Sequence, residues 1–266
     1  MDNVKIFPLI IDLMGIFFRS SRDALNRAQH AQSNRNAHEP TGLNIYSHCR
    51  SETQASIECI VFSFLTIEAT INYLFFNELR DRQLKGLDKW LQQKWRRNLS
   101  VYDRFILLVN QYSTANIDNF QHLTSLFLEF ITFRNRIVHA MPEHYHALVE
   151  SSADENEVFI HDVEPVQNPV RFPISLLSGE IGRINCEDAK RSFEIMLLVV
   201  CFLDEQFIEK FELPWVSNKG GQQLFRPKDI FALIDFRYYS KLSVESLIPE
   251  ISKKSISDQQ GTLSES

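Results

Sequence analysis

Apolar side chains recur every three to four residues through most of the first 140 positions, the period that places them on one face of a helix. Four helices follow from that pattern. The first covers 4–30, and the polar run 31–50, which holds Pro40 and Gly42, reads as a loop. Ser51 with Gln54 three positions on has the form of a capping box and opens the second helix, over 51–79. A charged, tryptophan-containing stretch spans 80–97, and a shorter helix follows over 99–112. The fourth starts from Asn116 or Asp118 and runs to 140, where Pro142 stops it, because the residue before a proline disfavours helical backbone.

Between 147 and 180 the period changes to short β-prone runs, 158–160 and 170–172, among prolines and acidic residues, which predicts a small hairpin or irregular excursion. Asn185, with Glu187 and Asp188 in the next turn, then caps a helix whose stretch 193–203 is almost wholly apolar and is therefore expected at the centre of the fold. The expected architecture is an all-α antiparallel helical bundle over 1–211, with an insertion at 147–180. An extension over 212–251 follows, with one helix near 230–239, and the Ser- and Gln-rich tail 252–266 reads as disordered. No internal repeat is visible.

Composition narrows the class. In 266 residues, 44% apolar content and only 8 Gly and 9 Pro fit a globular chain with a full-sized core and exclude collagen-like or wholly disordered types. The 21 Phe sit mostly in the periodic segments and predict an aromatic core. Cys49, Cys59, Cys186 and Cys201 form no close pair, and two of them lie in strongly apolar runs, so reduced thiols and a cytoplasmic setting are expected. Residues 4–18 carry Lys5 and Asp12 and no small-residue cleavage site, unlike a signal peptide. The run 57–76 is long enough to span a bilayer, but Glu58, Glu68 and Asn72 favour a buried helix and no membrane partner.

Two charged residues break apolar faces. Glu68 shares a face with Ile57, Val61, Phe64, Ile71 and Phe75, and Arg134 shares one with Leu123, Phe127, Phe130, Ile137 and Met141. A lone charge in a core slot is costly, so Glu68 and Arg134 are expected to be neighbours. By itself such a pair is a structural device that sets helix register. Asn135 and His139 lie four residues apart, about 40° in azimuth, whereas Arg134 and His139 are about 140° apart.

The segment Arg134-Asn135-Arg136-Ile137-Val138-His139 resembles the R-x(4 to 6)-H motif of the HEPN superfamily, whose arginine is typically followed by a polar residue such as asparagine. The resemblance covers 4–210. It implies an antiparallel helical bundle acting as a dimeric, metal-independent ribonuclease of a toxin–antitoxin or anti-phage system, with no cofactor and with an antitoxin or defence protein as partner. In that frame His139 carries protons, Arg134 stabilises the phosphate and Asn135 positions it. Glu68, with Asn72, takes the supporting acidic or polar role of an earlier helix. RNA cleavage without a metal needs those group types, a proton carrier and donors to the phosphorane. Because one helix splays Arg134 from His139, a complete site calls for two copies about a two-fold axis, a homodimer.

The net charge of −6 excludes indiscriminate coating of nucleic acid, but 80–104 holds eight basic residues against three acidic, with Trp90 and Trp95 among them. Lys94, Arg96, Arg97 and Arg104, together with Arg136, are the expected RNA contacts. A solvated basic face with tryptophans on the core is the structural reading of the same stretch. His144 and His146 lack further spaced ligands, so no metal site is expected. The alternative function is a non-catalytic HEPN-like dimer that binds RNA or nucleotide or serves as a scaffold.

Overall fold

A computed structural model describes the chain over residues 6–37, 43–82, 99–112, 121–139, 148–151, 158–161, 170–206, 212–216, 222–226 and 229. Five α-helices dominate those residues: α1 (Ile6–Ala37), α2 (Leu43–Arg82), α3 (Val101–Tyr112), α4 (Gln121–Val138) and α5 (Cys186–Gln206). The class is all-α. Two short antiparallel pairings accompany the helices, β1 (Leu148–Ser151) with β2 (Val158–His161), and β3 (Leu213–Val216) with β4 (Gln222–Phe225).

Helices α1 and α2 run antiparallel, since Arg35 meets Glu52, Arg27 meets Glu58, Ser21 meets Ser63 and Met14 meets Thr70. Small residues line their seam. Ala24, Ala28 and Ala31 of α1 are buried with Ala55, Ser56 and Cys59 of α2, which lets the two backbones approach closely. The 31–50 loop is therefore corrected to a link of at most five residues, 38–42, the segment that holds Pro40 and Gly42. The polar residues on either side cost only tenths of a kcal/mol each in helical propensity, and the buried Ala31 and the Arg35–Glu52 ion pair outweigh them. Ser51 accordingly lies inside α2, and its box with Gln54 is corrected too: Gln54 Nε2 donates to Glu58 Oε1 at 3.2 Å.

Real capping boxes stand elsewhere. Ser100 Oγ accepts from the Asp103 N–H at 3.1 Å while Asp103 Oδ2 accepts from the Ser100 N–H at 3.1 Å, which starts α3. At α5, Asn185 Oδ1 accepts from the Glu187 N–H at 2.8 Å and Asp188 Oδ2 accepts from the Asn185 N–H at 3.1 Å, in keeping with the predicted cap. The expected starts of α4 at Asn116 or Asp118, its stop at Pro142, the helix at 230–239 and the tail 252–266 lie outside the described residues.

The central helix is the one that the sequence nominates. Every residue of α5 from 192 to 204 is buried, including Ile195, Met196, Leu197, Val199 and Leu203 at 0% exposure. Phenylalanines fill the space around it: Phe105 packs edge-on against Phe127 and Phe202, with centroids 5.2 and 6.1 Å apart, and Phe18 lies 5.8 Å from Phe193. Each such ring contributes about 1.5–3 kcal/mol of burial. Residues His48–Phe75 of α2 are long and apolar enough to cross a membrane, and half of their most apolar window is buried within the fold.

Candidate functional site

Helix α4 is two-sided. Leu123, Leu126, Phe127, Phe130 and Phe133 are buried, whereas Leu128, Thr132, Asn135 and His139, spaced four, three and four apart, share the exposed face. The last turn closes with the His139 N–H donating to the Asn135 carbonyl at 2.9 Å, and the imidazole stands exposed immediately beyond the helix.

Arg134 lies between the two faces and is half-buried. Its guanidinium carbon sits 4.5 Å from the centre of the Phe64 ring, and Phe130 packs edge-on against that same ring with centroids 6.1 Å apart. Along its edge, Arg134 Nη1 donates to Asn135 Oδ1 at 3.0 Å. Arg134 Nε is buried without a hydrogen bond among the described residues. The Asn135 amide oxygen is thus engaged, while its Nδ2 has no partner among the described residues and the residue is exposed.

The expected neighbour of Arg134 is corrected. No ion pair joins it to Glu68, which is half-buried rather than a core residue. Phe64, one turn earlier on the same face of α2, takes the place instead. A ring face attracts the cation without the desolvation that a buried carboxylate would suffer. Asn72, expected beside Glu68, accepts a hydrogen bond from Arg104 Nη1.

The other basic candidates hold protein groups. Arg104 Nη2 donates to the Leu99 carbonyl at 2.9 Å, so this guanidinium ties the start of α3 to α2. Arg136 Nη1 donates to the Gly179 carbonyl at 2.8 Å and its guanidinium lies 5.3 Å from the centre of the Phe172 ring. Lys94, Arg96, Arg97, His144 and His146 lie outside the described residues. Among the described residues no group of three or more His, Cys, Asp or Glu side chains is placed to hold a metal ion.

Sequence reading missed the residues that secure this region. Glu129, on the flank of α4 and seven residues before Arg136, accepts from the Ser175 N–H at 2.7 Å and the Ile174 N–H at 3.2 Å. Glu129 and Arg136 together clamp the 172–179 loop onto α4. The loop bends at Leu176, which takes a left-handed backbone (φ 56°) and whose carbonyl accepts from both Arg171 and Arg191 at 2.8 Å. Behind it, the fully buried Asp188 accepts from the Ser178 N–H at 2.9 Å with Arg171 at 3.5 Å. The spacing of Glu129 and Arg136, two helical turns, was the available signal; what they would grip was not.

Three of the four thiols are buried. Burial pushes Cys59 up to about 12 and Cys186 up to about 11, and raises Cys201 well above the ordinary range, so all three stay protonated at neutral pH.

Comparison of the chain with protein-family models, with curated proteins and with solved structures finds no match in any of the three.

Proposed function

We propose that this chain is a metal-independent endoribonuclease of the HEPN type, working as a homodimer in the cytoplasm as a toxin or anti-phage defence component. One observation carries the reading: at the end of α4 the Arg134 guanidinium is held by Phe64 and Asn135, and the exposed Asn135 stands one turn from the exposed His139. In this reading the helices form a HEPN-like bundle and the excursion between α4 and α5, with its β1 and β2 pairing, is an insertion into it.

The chemistry follows from the groups. His139 takes the proton of the RNA 2′-hydroxyl, the 2′-oxygen bonds to phosphorus, and the P–O5′ bond breaks to leave a 2′,3′-cyclic phosphate. Arg134 carries the charge that builds on the phosphorane oxygens, Asn135 Nδ2 donates to one of them, and a second imidazole from another copy of the chain returns a proton to the 5′-oxygen. Glu68 forms no ion pair with Arg134 and has no part in this mechanism.

The test is RNA incubated with purified protein in excess chelator. Cyclic phosphate ends are expected, and His139→Ala is expected to cleave about 10²–10⁴-fold more slowly, the usual weight of a general base. Equal cleavage by His139→Ala overturns the assignment. Uncut RNA with salt-sensitive binding selects the non-catalytic RNA-binding dimer in its place.

A further inference from the structure

We infer that Phe64 is the positioning residue of the Arg134 guanidinium, setting its plane for the phosphate; the inference rests on the nuclease reading above. Phe64 is 3% exposed and reaches no solvent-borne substrate, so any influence on chemistry passes through the cation that covers its ring.

Three contacts define the arrangement. The ring lies under the guanidinium at 4.5 Å, Asn135 Oδ1 takes one edge of it at 3.0 Å, and Phe130 packs edge-on against the ring and holds it in place. A guanidinium is planar, with its donors fixed as a fork in that plane. Fixing one face and one edge therefore fixes the direction in which the remaining donors point. Phe64 also replaces the carboxylate that an ion pair would have placed there. A carboxylate engages the same donors that a phosphate needs, whereas a ring face uses none of them and leaves the cation's charge unneutralised. The site keeps its positive charge in a half-buried place because its support is aromatic.

The test uses the full chain with three substitutions, Phe64→Leu, Phe64→Met and Phe64→Tyr, and two readouts. In NMR spectra of the wild-type protein, the Arg134 side-chain protons are expected upfield of their open-chain positions through the ring current, and to return toward those positions in Phe64→Leu and Phe64→Met. In single-turnover RNA cleavage the same two variants are expected to lose about tenfold in rate, the scale of one partly desolvated cation–ring contact, with RNA affinity within about twofold. Phe64→Tyr, which keeps the ring, is expected to restore both. A merely structural Phe64 would move stability and leave rate and shift uncoupled.

Arg134 signals at open-chain positions in the wild-type protein overturn the inference whatever the activity, including when the substituted chains fail to fold. Wild-type cleavage by folded Phe64→Leu overturns it as well. Wild-type protein that shows the ring-current shift but cuts no RNA instead overturns the nuclease reading, and with it any catalytic use of the contact.

Discussion

The carboxylate of Glu52 on α2, 1% exposed, accepts the N–H of Cys186, the first residue of α5, at 3.0 Å, although the two stand 134 positions apart in the chain. Its other oxygen lies 2.9 Å from Arg35 Nη1 on α1. One side chain therefore joins three helices, and it satisfies an amide that the first turn of a helix leaves without an internal partner.

Glu52→Ala is expected to lower unfolding stability by about 2 kcal/mol, because it leaves a buried N–H unsatisfied and Arg35 without its partner. Glu52→Gln, which keeps an acceptor, is expected to cost about half as much. Urea midpoints of the two variants check this, and equal losses would contradict it.

Asp188 sets a pH dependence. Burial raises its carboxyl above the ordinary 3.8, against the lowering effect of the Ser178 and Asn185 amides and of Arg171 and Arg191. The folded state thus keeps a proton that the unfolded chain has already released, and stability declines as pH rises from 3.8 through the raised native value. Asp188→Asn removes that component while weakening the capping bonds. It is expected to be less stable than wild type, by a margin that narrows as pH rises through this window. Denaturant titrations at several pH values measure the margin, and one that stays constant or widens refutes the argument.

Alkylation reports the cysteines. With Cys59, Cys186 and Cys201 buried and held protonated, native protein at neutral pH is expected to take one iodoacetamide adduct, at the half-buried Cys49, and four after denaturation. Mass spectrometry of the peptides decides, and rapid native labelling of Cys59 would contradict the packing of the α1 and α2 seam.

The clamp on α4 is separable from the core. Glu129→Ala is expected to speed hydrogen exchange at the Ile174 and Ser175 amides by about tenfold, roughly the worth of one charge-assisted bond, with little change in α5. Arg136→Ala is expected to loosen the same loop from its Gly179 end. Unaltered exchange in both variants would show that the loop is held by Arg171, Arg191 and Asp188 alone.

Much of the helical layout was legible because period and burial report the same physics. The apolar run of α5 announced the central helix, and Asn185 announced its start. The Ser100 and Asp103 box was equally readable by its spacing, and the Ser51 and Gln54 pair shows why spacing alone misleads: a box starts a helix only where no preceding turn is already helical. Residues 31–37 resembled a loop because the partners that hold them helical, the α2 face covering Ala31 and Glu52 for Arg35, lie on a different helix.

Sequence by itself determined the all-α class, the buried α5, the reduced thiols and the placing of Asn135 and His139 one turn apart near the end of α4. Those properties depend on residues close together in the chain, whose relation a helix of known pitch dictates. Only the tertiary structure decided what each charge touches: Phe64 rather than Glu68 beneath Arg134, Asn72 for Arg104, Gly179 for Arg136, and Cys186 for Glu52. Helical period tells which side of α2 faces α4, but the axial offset between two helices depends on how all their side chains interlock. A slip of one turn exchanges a carboxylate for a ring.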